Sequence, residues 1–384
     1  MGEIAVTDGA RTMSYFVISC GGTGGHLSPG IALAEALIER GHECCLVISK
    51  KGVDARLLKK YPQLDFIKLP GSGFSLQPWK LMKFIGNQII GLYSSIHFLQ
   101  KKRPDVIVGF GGFITMGIVV AGYLLGCPIV LHEANRNPGK AIRALSALSK
   151  RVYLPVGVHL KSLPPKTVRH FGYPLRKEIR KIGQLEARKR LGITTEGKWL
   201  LVIGGSQGAS ILTEWVIEYG EKLGEMGINV YCVTGMQRGR QGKIDYRSSS
   251  GLRTQIVFTP FSDNMATLYS CADLVVSRAG AGSIAELVRC CAPSILIPYP
   301  WAADNHQLSN ASFLEQQGGG IVLSQMMLHK LYSEVLEVIN NEWLLDKFRS
   351  NLARLEPYSS VDLIADDLEQ LCRVELPDGV LHGV

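Results

Sequence analysis

The sequence lacks several residue pairs that would each indicate a particular chemistry. None of its nine cysteines stands in a C-x-x-C spacing, and no two aspartates form a D-x-D pair. The first absence argues against a zinc site or a dithiol redox motif, and the odd number of cysteines favours a reduced, cytoplasmic chain. The second argues against an aspartate pair that clamps a metal ion on a diphosphate. We therefore predict neither a metal nor a cofactor.

Hydrophobic segments that would indicate secretion or membrane insertion are also scarce. Residues 1–15 include acidic side chains and no apolar core of leader length, so a cleaved signal peptide is not expected. The 26 residues from Val106 to Leu131 carry no charge and could span a bilayer on length alone. Their six glycines and Pro128 instead favour a strand, a glycine loop, a buried helix and a second strand.

The chain is long enough for two domains and carries its charge unevenly. It has 384 residues, 46% of them hydrophobic, and a domain usually takes about 150 residues. Residues 1–175 hold 21 basic and 9 acidic side chains, a net +12, whereas the remainder has a net −3. The first half should therefore favour an anionic partner, for which nucleic acid, anionic lipid and a phosphorylated substrate all qualify.

Short apolar runs that end in glycine alternate with helix-length segments, a pattern typical of parallel sheets with crossover helices. The pattern starts at residue 15 with YFVISCGGTGGH and starts again at residue 199 with WLLVIGGSQGAS. We predict an α/β fold class with two Rossmann-like, doubly wound domains that face each other across a cleft. The predicted bounds are 14–175 and 176–351. A helix at about 352–373, apolar on one face and acidic on the other, is expected to pack back on the first domain.

The loop GGTGGH at 21–26 joins the first strand to a helix predicted over 29–40. Its four glycines let backbone N–H groups, including those of Gly24 and Gly25, approach a phosphate. The spacing is not that of a dinucleotide-binding loop, because residue 27 is leucine. His26 follows the loop and suits general base work. A tight structural turn and a capping histidine are the alternatives.

The second glycine loop, GGSQG at 204–208, also has the G-x-S-x-G spacing of a hydrolase nucleophile elbow. Asp273 and His306 follow in an order that a catalytic triad would permit. A nucleophilic Ser206 would leave the similar loop GGTGG in the first half without a role, which disfavours the hydrolase hypothesis.

The segment SRAGAGSIAE at 277–286 places small residues before a helix whose free N–H groups suit a diphosphate. Glu286 lies about two turns into that helix, where its carboxylate can accept hydrogen bonds from a ribose diol. A solvated glutamate is the alternative. DNHQ at 304–307 follows a strand and a proline turn, and either contacts sugar hydroxyls or forms an ordinary surface loop.

Residues 74–99 combine bulky apolar side chains with lysine. The cluster is Trp79, Lys80, Leu81, Met82, Lys83, Phe84 and Ile85. Such a mixture fits a segment that lies on an anionic membrane surface, and a core helix with two solvent-reaching lysines is the alternative.

Seven motifs stand in order along residues 15–371: GGTGGH at 21, GFGGF at 109, HEAN at 132, GYPLR at 172, GGSQGA at 204, SRAGAGSIAE at 277 and DNHQ at 304. Together they resemble the MurG family, glycosyltransferases that add N-acetylglucosamine to lipid I in peptidoglycan synthesis. The resemblance implies a GT-B fold, with the acceptor in the N-terminal domain and UDP-N-acetylglucosamine mainly in the C-terminal one. It also implies peripheral association with the cytoplasmic face of the plasma membrane and no nucleic-acid partner.

Residue by residue, the resemblance implies that His26 deprotonates the acceptor hydroxyl, and that Thr23 and Asn135 help to hold the donor sugar or the acceptor. The nucleotide contacts that it implies are Arg176, Ser206, the backbone near Ser262, and Glu286. His306 and Gln307 would contact the sugar. Two positions depart from some relatives, since Phe113 replaces a tyrosine and His306 replaces a glutamine. Transfer to another lipid acceptor and a non-catalytic scaffold that binds sugar nucleotides stay open as alternatives.

Overall fold

The structure is a computed structural model that describes residues 13–21, 24–49, 60–70, 78–205, 208–236, 240–355 and 359–375. Over these residues the chain forms two seven-stranded sheets.

The first sheet comprises β1 (Tyr15–Ser19), β2 (Glu43–Ser49), β3 (Asp65–Leu69), β4 (Val106–Gly109), β5 (Ile129–His132), β6 (Arg151–Leu154) and β7 (Val168–His170). Its strand order is β3-β2-β1-β4-β5-β6-β7, and the pairs from β3 through β5 are parallel. The α-helices that the structure describes in this part of the chain include α1 (Gly24–Glu39), α2 (Pro78–Lys102), α3 (Phe113–Leu124) and α4 (Lys140–Leu145). The order reverses between β1 and β4, the point at which such sheets bind ligands.

The second sheet comprises β8 (Lys198–Ile203), β9 (Ile228–Val233), β10 (Gly242–Arg247), β11 (Arg253–Thr259), β12 (Leu274–Ser277), β13 (Ser294–Leu296) and β14 (Gly320–Val322). Its order is β10-β11-β9-β8-β12-β13-β14, with only the β10–β11 pair antiparallel among the described strands. Apart from the edge strands β10 and β7, this order repeats that of the first sheet. The corresponding switch point therefore lies between β8 and β12.

The helices of the second half are α5 (Gln184–Arg190), α6 (Ser210–Glu225), α7 (Met265–Cys271), α8 (Ala281–Arg289), α9 (His306–Gln316), α10 (Leu331–Ile339), α11 (Glu342–Leu352) and α12 (Ser360–Glu375). The central strands of both sheets are covered on both faces, as the complete burial of Val17, Ile18, Leu200 and Val202 shows. Burial on both faces accounts for continuous apolar runs in place of alternating ones. The predicted fold class, two doubly wound α/β domains, is confirmed.

The uncharged stretch from 106 to 131 forms β4, α3 and β5, so the interpretation as a strand, a buried helix and a strand is confirmed. α3 packs against α2, and a Cβ added to Gly117 would lie 3.5 Å from the carbonyl carbon of Gly91. Within the described part of the chain, no helix is long and apolar enough to cross a membrane.

α1 begins earlier than the sequence predicts. Helical periodicity predicts a helix over 29–40, whereas the helix starts at Gly24 and contains Pro29. The proline is the sixth residue of the helix, so its missing N–H removes only one intrahelical hydrogen bond. As a result, His26 lies in the first turn of α1 and not in the loop before it.

Internal contacts divide the described chain into two units. The first contains residues up to His132, then Ala144–Val152, and α12 from Ile364; the second contains Glu133–Arg143 and Tyr153–Leu363. These units differ from the predicted bounds at 133–143 and 153–175. In the second unit, for example, the backbone N–H of Arg136 donates to Asn310, 174 residues away. The bounds 14–175 and 176–351 stay a prediction.

The helix predicted at about 352–373 is α12, which begins at Ser360 because α11 continues to Leu352. Its acidic side chains contact the first unit, where Arg40 lies 2.5 Å from Asp366 and 3.4 Å from Glu369. His42 Nδ1 accepts a hydrogen bond from the backbone of Ser14, so its Nε2 is the atom that donates to Glu369, at 3.2 Å. The apolar side of α12 is fully buried at Ile364, Ala365 and Leu368.

Candidate functional site

Glycine backbones meet at the switch point of the first sheet. Gly21, after β1, has a positive φ of 53°, and a Cβ there would lie 2.7 Å from the carbonyl oxygen of Gly111, after β4. The Thr115 hydroxyl donates to this same oxygen and is within 3.0 Å of the Ser19 hydroxyl. The two loops are thus fixed against each other at a distance that only glycine permits.

His26 lies beside this glycine contact. A Cβ on Gly21 would be 3.1 Å from Nδ1 of His26, and the side chain is half-buried in the first turn of α1. Gly24 is the first residue of the helix and Gly25 is exposed. The structure therefore places His26, Gly24 and Gly25 together at the carboxyl ends of β1 and β4. The neighbouring Thr23 lies outside the described residues.

A similar glycine contact joins the loops that follow the neighbouring strands β8 and β9 of the second sheet. Gly208 has a positive φ of 77°, and a Cβ there would lie 2.3 Å from the carbonyl oxygen of Thr234, after β9. Ser206, predicted to bind the nucleotide, lies outside the described residues. Ser262 lies in the loop after β11, where its hydroxyl accepts a hydrogen bond from the backbone of Asn264, just before α7.

Glu286 lies on α8 within a partly enclosed polar cluster. The Tyr269 hydroxyl donates to its carboxylate at 3.0 Å. Burial raises the pKa of Glu286, and the Tyr269 hydrogen bond and the charge of Arg176 oppose that rise. Burial and the Glu286 carboxylate raise the pKa of Tyr269 well above its ordinary value, so the phenol stays a donor. The two predicted nucleotide contacts Arg176 and Glu286 are therefore close enough to interact.

The GYPLR motif lies against the same helix. A Cβ on Gly282, in the first turn of α8, would lie 3.1 Å from the hydroxyl oxygen of Tyr173. Arg176 forms an ion pair with Glu178 at 3.2 Å and is mostly buried. Two motifs separated by about a hundred residues thus meet at the N-terminal half of α8.

Gln307 connects the end of β13 to the loop before α8. Its side-chain oxygen accepts hydrogen bonds from the backbone N–H groups of Tyr299, at 2.9 Å, and Ala279, at 3.4 Å. His306 Nδ1 lies 2.6 Å from the carbonyl oxygen of Ala303. Because a carbonyl only accepts, Nδ1 must carry the proton, and Nε2 is then the acceptor atom of the neutral ring.

Asn310, one helical turn after His306, joins three segments. Its amide nitrogen donates to the side-chain oxygen of Asn135 and to the carbonyl oxygen of Ala279, each at 3.1 Å, and its oxygen accepts from the backbone of Arg136 at 3.0 Å. Asn135 and Gln307 are therefore linked through Asn310 and Ala279. The HEAN, SRAGAG and DNHQ segments form one hydrogen-bonded cluster within the second unit.

Glu133 shapes the loop that carries Asn135. This carboxylate is 6% exposed and accepts from the backbone and the amide of Asn135, at 2.8 and 3.0 Å, and from the backbone of Gly139 at 2.6 Å. The Asn135 side chain thus uses one amide hydrogen and its oxygen inside the protein. Its second amide hydrogen is not used by these bonds and could contact a substrate.

Arg278 is a buried arginine next to the cluster. Its guanidinium donates to the carbonyl oxygen of Ile297 at 3.0 Å and to the Gln325 side chain at 2.7 Å, and its carbon lies 5.4 Å from the centre of the Tyr299 ring. Burial lowers the pKa of Arg278. This side chain braces the segment that follows β13 against the end of β12.

Sequence reasoning missed Glu133, Tyr269, Arg278 and Asn310. Asn310 stands four residues after His306, a spacing that places both on one helix face and could have indicated it. Glu133 is a carboxylate directly after a buried strand, which is another usable signal. Nothing in the local sequence indicates that Tyr269 reaches Glu286, because the two residues are on different helices.

Asp273, considered above as a triad member, has a structural role. Its carboxylate accepts from the backbone of Trp199 at 2.8 Å and from Gln184 at 3.0 Å, and lies 3.6 Å from Arg188. His306 bonds to Ala303, as described above, so no triad forms between them. In the described ranges there is also no group of three or more His, Cys, Asp or Glu side chains that could hold a metal ion.

We expect Asn310→Ala to lower the free energy of unfolding by about 1–3 kcal/mol, because it leaves groups in two other segments, Asn135–Arg136 and Ala279, without their hydrogen bonds. Urea unfolding measures the change. Asn340→Ala is the matched control, since Asn340 is exposed and bonds only locally, to Leu336 on its own helix. Equal changes in the two variants would contradict the structural role of Asn310.

Two family models match the chain. The N-terminal domain of glycosyltransferase family 28 matches residues 16–154, and the C-terminal domain of that family matches residues 199–354. Together they cover most of both sheets.

Two curated proteins match more than 90% of this chain. A UDP-N-acetylglucosamine--N-acetylmuramyl-(pentapeptide) pyrophosphoryl-undecaprenol N-acetylglucosamine transferase of Opitutus terrae is 52% identical over 96% of this chain and 97% of its own length. A protein of the same name from Halothermothrix orenii is 34% identical over 91% of this chain and 96% of its own length.

Solved structures share the fold. Acinetobacter baumannii MurG matches with a TM-score of 0.70 and 23% identity over 93% of this chain and 99% of that one. The glycosyltransferase of kitacinnamycin matches with a TM-score of 0.68 and 15% identity over 94% and 99%. Because both family models match and a relative is 52% identical along nearly the whole chain, the chain belongs to the MurG family within glycosyltransferase family 28 and is a glycosyltransferase.

Proposed function

We propose that this protein transfers N-acetylglucosamine from UDP-N-acetylglucosamine to the 4-hydroxyl of the muramyl residue of lipid I, giving lipid II and UDP in peptidoglycan synthesis. The observation that carries the proposal is the 52% identity, over 96% of this chain, to a relative named for that transfer. The polar cluster of Asn135, Gln307 and Asn310 next to α8 supports it, because such groups suit sugar hydroxyls.

In the proposed reaction, His26 takes the proton of the acceptor hydroxyl as its oxygen attacks C1 of the donor sugar. The bond between C1 and the diphosphate oxygen breaks, and UDP leaves from the opposite face, so the configuration at C1 inverts. Backbone N–H groups at the start of α8 and the charge of Arg176 would stabilise the departing diphosphate. Glu286 would accept hydrogen bonds from the ribose hydroxyls.

The direct test is incubation with UDP-N-acetylglucosamine and a soluble lipid I analogue, followed by identification of the disaccharide and of UDP. Absence of both products would contradict the proposal. An equimolar diacylglycerol acceptor in the same assay tests acceptor choice, and preferential glycosylation of that lipid would reassign the substrate.

We expect His26→Ala to lower kcat by about 100-fold or more, the usual scale for loss of a general base, with little change in the KM for the donor. Steady-state kinetics measure both parameters. His329→Ala, at an exposed histidine of the second unit, is the control and should keep wild-type turnover. Near-normal turnover of His26→Ala would assign the side chain to structure.

We expect UDP binding to weaken as the pH falls through the raised pKa of Glu286, because only the carboxylate accepts both ribose hydroxyls. Tyr269→Phe removes a hydrogen bond that stabilises the carboxylate, so its pKa rises further and binding should weaken at a higher pH than in the wild type. Calorimetric titrations across a pH series measure the shift. Superimposable profiles, or equal affinity for a 2′-deoxy donor, would contradict the ribose role.

We also propose that the protein associates peripherally with the cytoplasmic face of the plasma membrane. The net +12 of residues 1–175 and large exposed apolar side chains on α2 and α3 support this proposal. These side chains are Ile89, Ile90, Tyr93, Tyr123 and Leu124, with Tyr93 75% exposed. Side chains of the cluster from Trp79 to Ile85 lie outside the described residues.

Sedimentation with vesicles that contain anionic lipid should show binding that fades at high salt, because each basic residue near the surface contributes about 1 kcal/mol and is screened. The single variant Tyr93→Ser should reduce vesicle binding severalfold, and so should the double variant that combines Trp79→Ser with Phe84→Ser. Trp343→Ser, at a tryptophan 74% exposed in the second unit, is the control. Binding that needs neither anionic lipid nor these aromatic residues would contradict the proposed surface.

A further inference from the structure

Two aromatic rings stand exposed in the turn after β13. Tyr299 is 43% exposed and Trp301 is 71% exposed, and their ring centres are 5.4 Å apart at an angle of 65°. The following residues, from Ala303 to Asn305, are exposed as well, and two of them are polar. The pair therefore forms a small apolar area in a polar turn.

The backbone of this turn is fixed. Pro298 and Pro300 flank Tyr299, and each proline fixes its own φ angle. The backbone N–H of Ala302 donates to the carbonyl oxygen of Tyr299, and that of Asn305 donates to Ala302, both at 3.1 Å. The two rings are thus presented by a rigid turn, so binding a ligand there would cost little ordering entropy.

The aromatic pair is continuous with the polar cluster. The backbone of Tyr299 donates to Gln307, and its ring faces the guanidinium of Arg278 at 5.4 Å. Gln307 also bonds to Ala279, whose carbonyl oxygen accepts from Asn310. An apolar surface therefore borders groups that donate and accept hydrogen bonds.

A pyranose ring matches this combination, because C–H groups form much of its faces while its hydroxyls and amide project from the edge. An exposed indole can pack against the C–H face, and the neighbouring amides can bond the edge. We infer that Tyr299 and Trp301 form a stacking platform for the pyranose ring of an N-acetylhexosamine. The inference rests on the proposed function, in which both the donor and the acceptor carry such a sugar.

Kinetics with Trp301→Ala test the platform and identify which sugar it holds. The variant should raise the KM for one substrate, UDP-N-acetylglucosamine or the lipid I analogue, by roughly three- to tenfold, the scale of one aromatic contact. Trp301→Phe keeps a ring and should stay within about twofold of the wild type. Trp343→Ala removes an equally exposed tryptophan from α11 and should change neither KM.

Fluorescence tests binding without turnover. UDP-N-acetylglucosamine should change the tryptophan emission more than UDP alone does if the platform holds the donor sugar, and the lipid I analogue should do so if it holds the acceptor. Trp301→Phe should lose that difference while it still binds the ligand, as shown by calorimetry. Trp343→Phe should keep it.

The two proposals fail in different ways. If the wild-type protein transfers sugar and the KM of Trp301→Ala stays within twofold of the wild-type value for both substrates, the platform is overturned and the transferase proposal stands. If the wild-type protein transfers no sugar but shows the Trp301-dependent change in tryptophan emission, the transferase proposal is overturned and the platform stands. Absence of both transfer and that signal overturns both proposals, and equal effects of Trp301→Ala and Trp343→Ala overturn the platform.

Discussion

The loops at the carboxyl ends of strands in both sheets depend on contacts of glycine backbone with backbone. In the first unit a side chain on Gly21 would meet the oxygen of Gly111 at 2.7 Å, and in the second a side chain on Gly208 would meet the oxygen of Thr234 at 2.3 Å. Both glycines have positive φ angles as well. Because any Cβ would force the loops apart, these contacts require glycine and hold the loops against each other.

Several polar side chains of the second unit form hydrogen bonds to other parts of the protein. Glu133, Asn310 and Gln307 hold loops from three parts of the chain, and Arg278 braces the turn after β13. Such buried polar networks favour a single arrangement, because each unmet partner would cost free energy. The hydrogen bonds described above do not use Nε2 of His306 or one amide hydrogen of Asn135.

Burial raises the pKa of two kinds of titratable group in this protein, with different results. It raises the pKa of the Cys44, Cys45, Cys232 and Cys290 thiols to about 12, which keeps them protonated and unreactive near neutral pH. Glu286 is buried too, but Tyr269 and Arg176 oppose the rise of its pKa. These four buried cysteines are therefore packing residues, whereas the carboxylate keeps access to its charged form.

Most of the fold could be predicted from the sequence, since a strand covered on both faces must be apolar throughout and its end must turn, often through glycine. The runs at 15–19, 106–109 and 198–203 are strands for that reason. The start of α1 was predicted five residues late, because Gly24, Gly25 and Pro29 all disfavour a helix locally, and only packing in the folded chain outweighs that preference. The motif at 21–26 identified His26 as a candidate, yet its contact with Gly21 depends on that extra helical turn.

The sequence by itself determined the apolar strands, the twin glycine loops and the family, because these depend on composition and order along the chain. Only the tertiary structure decided which distant residues meet: Tyr269 with Glu286, and Asn135 with Asn310. Local spacing carries no information on contacts between residues on different elements. Those contacts depend on how helices and loops pack on the sheet, which is a property of the whole chain.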